Sequence, residues 1–276
     1  MNNAVITQPK QKIGFTSFMT STAVQKKVNE VVGGERGQRF ISSIVSAVTT
    51  NPLLKECTNE SIFSGALLGE SLNLSPSPQL GLFYLVPFND KERGKVAQFQ
   101  LGFRGYINLA IRTGQYKDID TIEIREGEYL GRDKESGKQK FEFIEDENER
   151  ESKPIIGYMA YFEMINGFTK KIYWTKEKME AHALKYSQAY KRDKTKKTSY
   201  SFWTNNFDEM AFKTLLRQLI SKWGVMSIDM QTAFEKDMAV IKENGDFDYV
   251  DTIEENAIII EPMEQSIEVK SLDDID

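Results

Sequence analysis

The sequence contains one cysteine, Cys57, and one histidine, His182, among 276 residues. No disulfide can close within the chain, and a Cys/His zinc site cannot be assembled from it. A Cys–His nucleophilic pair is formally open, but Cys57 lies in a helix-flanking stretch without a recognisable motif. Long apolar runs are missing too. None approaches the roughly 20 residues of a membrane span, and Met1 to Lys10 is polar, without the apolar core of a signal peptide. A soluble, cytoplasmic protein is expected. Phosphate-binding loops are also absent. Gly33-Gly34-Glu35-Arg36-Gly37 lacks the GxxxxGK[ST] spacing, and neither Gly94-Lys95 nor Gly137-Lys138 has the upstream glycine or the following Ser/Thr. No nucleoside triphosphate site, cofactor or internal repeat is visible.

What the chain does have is segregated charge. Its formal net charge is −5, with 40% hydrophobic residues to supply a core. From Asp246 to Asp276 eleven acids face only Lys270, so this tail carries −10 and the rest +5. Between Lys170 and Lys222 thirteen cations face five acids, a balance of +8. Tyr173, Trp174, Tyr186, Tyr190, Tyr200, Phe202, Trp203 and Phe207 are threaded through that segment. Cations neutralise phosphates and aromatic faces stack on unpaired bases, so the mixture suits single-stranded nucleic acid. The plainer reading is a solvated helical face with its aromatic side chains in the core.

The periodicities predict an α+β fold, with a small sheet of hairpins packed against helices. Three parts are expected: a mobile N-terminal segment (1–37), a core (38–245) and an acidic, disordered tail (246–276), in which Ala257 to Ile260 is a candidate docking stretch. Phe40, Ile41, Ile44, Val45 and Val48 follow helical spacing up to Asn51-Pro52. Thr58 or Asn59 caps a second helix, and both helices read as amphipathic. Leu82 to Phe88 pairs with a strand in which Ala97, Phe99, Leu101 and Phe103 alternate with Gln98, Gln100, Gly102 and Arg104. That polar face leads into a short helix, Tyr106 to Thr113, bearing Arg112, with Lys117 just beyond. Ile119 to Ile124 is a further strand, and 126–153 an exposed hairpin or loop. Asn166-Gly167 predicts a two-residue type I′ turn. Thr175 caps a helix to about Tyr190, followed by a basic loop, Lys191 to Lys197. The last strong helix opens near Asn205 and ends at Gly224, with Phe207, Met210, Ala211, Leu215 and Leu219 as its apolar stripe. Lys213 and Arg217, at i and i+4, share another face, and the core is expected to require neither.

Three stretches in order resemble the RecT family of bacteriophage single-strand annealing recombinases. They are Asn51-Pro52-Leu53-Leu54 through Leu72-Asn73-Leu74-Ser75-Pro76; Leu80-Gly81-Leu82-Phe83-Tyr84-Leu85-Val86-Pro87-Phe88 with Gln98-Phe99-Gln100-Leu101-Gly102-Phe103-Arg104-Gly105-Tyr106-Ile107; and Phe207-Asp208-Glu209-Met210-Ala211-Phe212-Lys213-Thr214-Leu215-Leu216-Arg217-Gln218-Leu219-Ile220. The resemblance spans roughly residues 40 to 225. It implies a core topology similar to other annealing proteins. It also implies ATP-independent binding and annealing of single strands, by a ring or helical filament that is not an enzyme. An exonuclease that makes the single strand and a host single-strand-binding protein are the implied partners. By residue it points to Gln100 and Arg104 on the hairpin and to Lys213 and Arg217 on the helix as DNA-facing; proximity to the hairpin adds Arg112 and Lys117. Two other readings are a magnesium-dependent nuclease using Asp118, Asp120 and Glu123, and a passive single-strand coat.

Overall fold

The computed structural model describes residues 13–249, apart from Lys91, Glu243, Gly245 and Asp246. Among these residues the strands pair only antiparallel and the helices pack around them, an α+β architecture. The N-terminal region departs from the expected mobile segment. From Gly14 onward it forms α1 (Phe15–Met19), α2 (Thr22–Val31) and the start of α3 (Gly34–Thr50). Met19, Val24 and Val28 are buried against Phe40, Ile44 and Val48. Phe15, Phe18 and Val32 pack at the edge of the same cluster, so the apolar side chains of α1 and α2 together dock this region on α3. The first twelve residues lie outside the described range.

Helix α4 (Asn59–Ser71) begins where the Thr58 hydroxyl accepts from the Ser61 N–H. It is not the amphipathic helix expected. Nine of its residues are buried, because it lies between the N-terminal helices on one side and a hairpin on the other. That hairpin is β1 (Phe83–Asp90) and β2 (Gly94–Leu101), paired from Phe83↔Leu101 to Asp90↔Gly94. A Cβ on Gly69 of α4 would stand 2.3 Å from the Phe83 ring, so the missing side chain is what brings helix and hairpin together.

The chain leaves β2 earlier than alternation predicts and enters α5 (Phe103–Arg112). Arg104 is therefore a helical residue and not part of the strand face. Gly102 and Gly105 decide this, since a Cβ at either would lie 2.1 Å from a backbone oxygen of Gly81 or Leu82.

A second sheet has the order β3 (Tyr116–Arg125), β6 (Ile155–Met164), β7 (Thr169–Thr175). Between β3 and β6 the chain makes a small hairpin, β4 (Tyr129–Arg132) with β5 (Gln139–Phe141), and α6 (Glu147–Ser152). The excursion is pinned by Glu128, fully buried, which accepts from Arg150 Nε at 2.6 Å. The β6–β7 connection is not type I′. Gly167 N–H donates to Met164 O at 2.9 Å and only Gly167 has positive φ, so Ile165 and Asn166 form a type I turn followed by a glycine bulge.

The remaining helices are α7 (Lys176–Tyr186), α8 (Gln188–Lys196), α9 (Phe202–Asn205), α10 (Phe207–Trp223) and α11 (Ile228–Lys236). The expected basic loop is thus the helix α8. Ser187 ends α7, and its hydroxyl, accepting from Tyr190 N–H at 3.2 Å, starts α8 in a new direction. After α11 the chain adds β8 (Ala239–Ile241) and β9 (Phe247–Tyr249), completing the sheet order β1-β2-β8-β9. The first residues of the expected tail are therefore in strand β9, and the tail beyond Tyr249 lies outside the described residues. The main core joins α4, α5, α10 and α11 to both sheets.

Candidate nucleic-acid interface

The sequence-derived residues divide sharply once placed. Lys213 is buried, and its Nζ lies 3.1 Å from Asp237 Oδ1. Arg217 donates to Asp237 Oδ2 at 2.8 Å and to the Tyr106 hydroxyl at 3.1 Å. Tyr106 donates to the same carboxylate at 2.7 Å, and the Leu101 N–H does so at 2.9 Å. The Asp237 side chain is wholly shielded from solvent. Burial presses the Lys213 ammonium below its ordinary pKa, with Asp237 acting against that, and burial pushes Tyr106 well above its own. The pair once set apart from the core is therefore a buried ionic junction. It joins α10, α5 and β2 to the turn before β8.

Gln100 is also buried; its amide donates to Gln98 Oε1 at 2.8 Å, while Gln98 donates to the Met238 carbonyl. The glutamine expected to face DNA is instead covered by the chain entering β8. Arg112 is a structural tie, donating to Leu72 O at 2.6 Å and reaching Asp229 at 3.4 Å. Lys117 is exposed on β3 and paired with Glu163 at 2.6 Å. Arg104 is exposed near the start of α5. Of the nuclease carboxylates, Asp118 and Asp120 share the exposed face of β3, whereas strand alternation turns Glu123 to the other face, where Arg125 holds it at 2.7 Å. Among the described residues no group of three or more His, Cys, Asp or Glu is gathered with metal-binding geometry.

Further exposed cations lie on α7. On α7, Lys178, His182 and Lys185 follow i, i+4, i+7 and share a face. Lys178 Nζ sits 4.1 Å from the Trp174 ring centroid, and Lys185 Nζ lies 5.0 Å from that of Tyr186. His182 packs between Trp174 at 5.3 Å and Tyr186 at 4.6 Å. Burial first, then the two lysine charges, lower its pKa and so favour the neutral imidazole. Neither lysine has an ion-pair partner among the described residues, and Tyr186 is 65% exposed. These rings are visible in the sequence, but not which of them reaches the surface: Tyr186 does, while Trp174 and His182 are half-buried.

The aromatic row continues through α9. Trp203 faces His182 at 6.5 Å, while its neighbour Phe202 faces Tyr84 of β1 at 6.1 Å. A cleft opens here between the hairpin and α9–α10, lined by Tyr84, Gln100, Phe103, Phe202, Glu209 and Lys213, among others. Burial and the Glu209 charge both raise the Tyr84 pKa, with Arg104 opposing, which places one anion and one cation beside that hydroxyl.

Asp193 builds the approach to α9. Its carboxylate, 3% exposed, accepts from the Thr198 hydroxyl at 2.7 Å, Tyr200 N–H at 2.9 Å, Ser201 N–H at 2.6 Å and the Thr204 hydroxyl at 2.7 Å. Burial raises its pKa, but these bonds outweigh it and hold the value down to about 2. An unfolded aspartate titrates near 3.9. Asp193 therefore contributes its full stabilisation above about pH 4 and loses it as pH falls towards 2, on the order of 2 kcal/mol. Thermal melts between pH 2 and 5 are expected to show a shallower acid limb for Asp193→Asn than for the unaltered chain.

The sequence has no phosphate loop, and the surface of α7 sets lysines without ion-pair partners among the described residues beside the exposed Tyr186 and the half-buried Trp174 and His182, chemistry of the kind that suits an extended polyanion with accessible bases. The comparisons name the family. The RecT family model matches residues 38–251, and the chain belongs to the RecT family. YqaK of Bacillus subtilis (strain 168), described as uncharacterized, is 40% identical over 232 residues, covering 82% of this chain and 73% of its own. The protein RecT of Escherichia coli (strain K12) is 29% identical over 209 residues, covering 72% and 71%. Family membership makes this a protein of recombination and strand annealing and implies interaction with single-stranded DNA. Among the described residues no helix is long and apolar enough to cross a membrane.

Proposed function

We propose that this chain binds single-stranded DNA along the α7–α9 surface and anneals complementary strands without nucleotide hydrolysis or other catalytic chemistry. The observation that carries this is the exposed lysine–aromatic face of α7, with Lys178 over Trp174 and Lys185 over Tyr186. The lysines neutralise phosphates and release the counterions condensed on the strand, and the rings give each base a surface that is tolerant of sequence. Held this way, a strand is kept from folding on itself, and pairing proceeds because the duplex is the more stable product. Oligomerisation into a ring or filament would align successive faces along one strand. An exonuclease that supplies the strand and a host single-strand-binding protein are the partners in this reading. The place of action is the bacterial cytoplasm during phage or prophage recombination.

The test uses purified full-length chain with two complementary fluorescent oligonucleotides, in the presence and absence of ATP. Pairing faster than the protein-free control, and equal with and without ATP, is expected. An absolute requirement for ATP overturns the energy-independent mechanism. A pairing rate no greater than the control leaves only a coat protein.

A further inference from the structure

Trp223 ends α10, and the chain is held firmly there. A Cβ on Gly224 would stand 2.4 Å from the Tyr116 hydroxyl, which itself donates to the Val225 carbonyl at 2.9 Å. The indole is half-buried against the main core, so its position is set by packing. Two ammonium groups converge on its ring. Lys170 Nζ, from β7, lies 4.6 Å from the centroid, and Lys222 Nζ, from α10, lies 4.7 Å from it. Neither lysine has an ion-pair partner among the described residues. Glu163, opposite Thr169 in the sheet register, is taken by Lys117 at 2.6 Å. The ring attracts each cation, but two like charges gathered on it repel one another, and an anion from outside the chain offsets that repulsion.

We infer that Lys170 and Lys222, seated on Trp223, clamp the sugar–phosphate backbone of the same strand that α7 holds. The inference rests on the single-strand reading above. Lys170, Ile172 and Trp174 share one face of β7, so the pair stands four residues, about 13 Å, from the contact of Lys178 with Trp174. That span is about four nucleotides at the roughly 3.4 Å rise of one strand in B-DNA, and fewer when the strand is extended. Among the described residues β7 is an edge strand of its sheet, and the backbone can follow that edge from one contact to the other. The two sites differ in kind. Tyr186, 65% exposed, gives the α7 face a ring for a base, whereas the Trp223 ring is already engaged by ammonium groups. The clamp therefore supplies charge and no stacking.

The experiment measures the affinity of the full chain for oligo(dT), and for an abasic tetrahydrofuran strand of equal length, over a tenfold range of chloride. Lys170→Ala/Lys222→Ala should flatten the slope of log affinity against log salt by about 1.4, so that the advantage of the unaltered chain shrinks roughly 25-fold across the range. The change should be alike on both strands, and Lys170→Arg/Lys222→Arg should keep the original slope. Exchanging chloride for inorganic phosphate at equal ionic strength should affect the unaltered chain no more than the alanine variant. A loss confined to the unaltered chain would assign the pair to free phosphate and overturn the backbone clamp. An unchanged slope in the alanine variant overturns it as well, while strand binding at α7 stands. An effect seen with oligo(dT) alone would make Trp223 a stacking surface, against this inference. Failure of the unaltered chain to bind either strand overturns the single-strand reading and the clamp with it.

Discussion

Asp237→Ala is expected to lose about 3–5 kcal/mol of folding stability, as when one partner of a buried ionic group is removed. The reason is arithmetic in charge. Among the described residues Asp237 is the single anion between Lys213 and Arg217, at 3.1 and 2.8 Å, and its own side chain is fully shielded. Without it, two cations and the Leu101 N–H lose their acceptor together. Arg217 keeps a partly open side chain, 41% exposed, and can turn towards water; Lys213, at 10%, cannot. Lys213→Met should cost less, because Asp237 would retain Arg217, Tyr106 and Leu101. Urea denaturation of the three chains checks the order. A change within about 0.5 kcal/mol for Asp237→Ala would mark the junction as a surface feature.

A second large effect is expected on the α7 face. Removing both lysines in Lys178→Ala/Lys185→Ala should take away about two phosphate contacts and flatten the dependence of log affinity on log salt by roughly 1.4. Trp174→Ala/Tyr186→Ala should act differently. Lost stacking lowers affinity at every salt concentration, by about 1–3 kcal/mol per base, and leaves the slope nearly as it was. Lys26→Ala, on α2 and paired with Glu30 at 3.9 Å, serves as the control. Equal slopes for the lysine variant and the control would move the DNA away from α7.

Much of the local structure was legible in the chain. Helices α3, α4 and α10 and the β1–β2 hairpin lie close to where periodicity and capping predict them. The Thr58 and Thr175 caps form as read. Pattern and structure part where a contact distant in sequence determines a residue's conformation. Alternation carries β2 as far as Arg104, but the backbone oxygens of Gly81 and Leu82 crowd Gly102 and Gly105 and turn the chain into α5. Asn166-Gly167 marked a turn correctly but not its length, because the register of β6 with β7 leaves room for three loop residues.

The candidate site shows the same division more plainly. Composition alone determined that no disulfide forms within the chain, that no zinc centre can be built from its Cys and His, and that the cations and rings of 170–222 travel together. Helical spacing alone put Lys213 and Arg217 on one face, and that is correct. It did not say what covers the face. Asp237 reaches it from 24 and 20 residues further along the chain, at the end of a helix whose packing on α5 no local pattern encodes. The same turn caps Gln98 through the Met238 carbonyl. A periodicity reports which side chains point together, because it follows from backbone geometry. Whether that side meets water, a carboxylate or a strand of DNA depends on which distant segment packs there, and tertiary structure alone decided it.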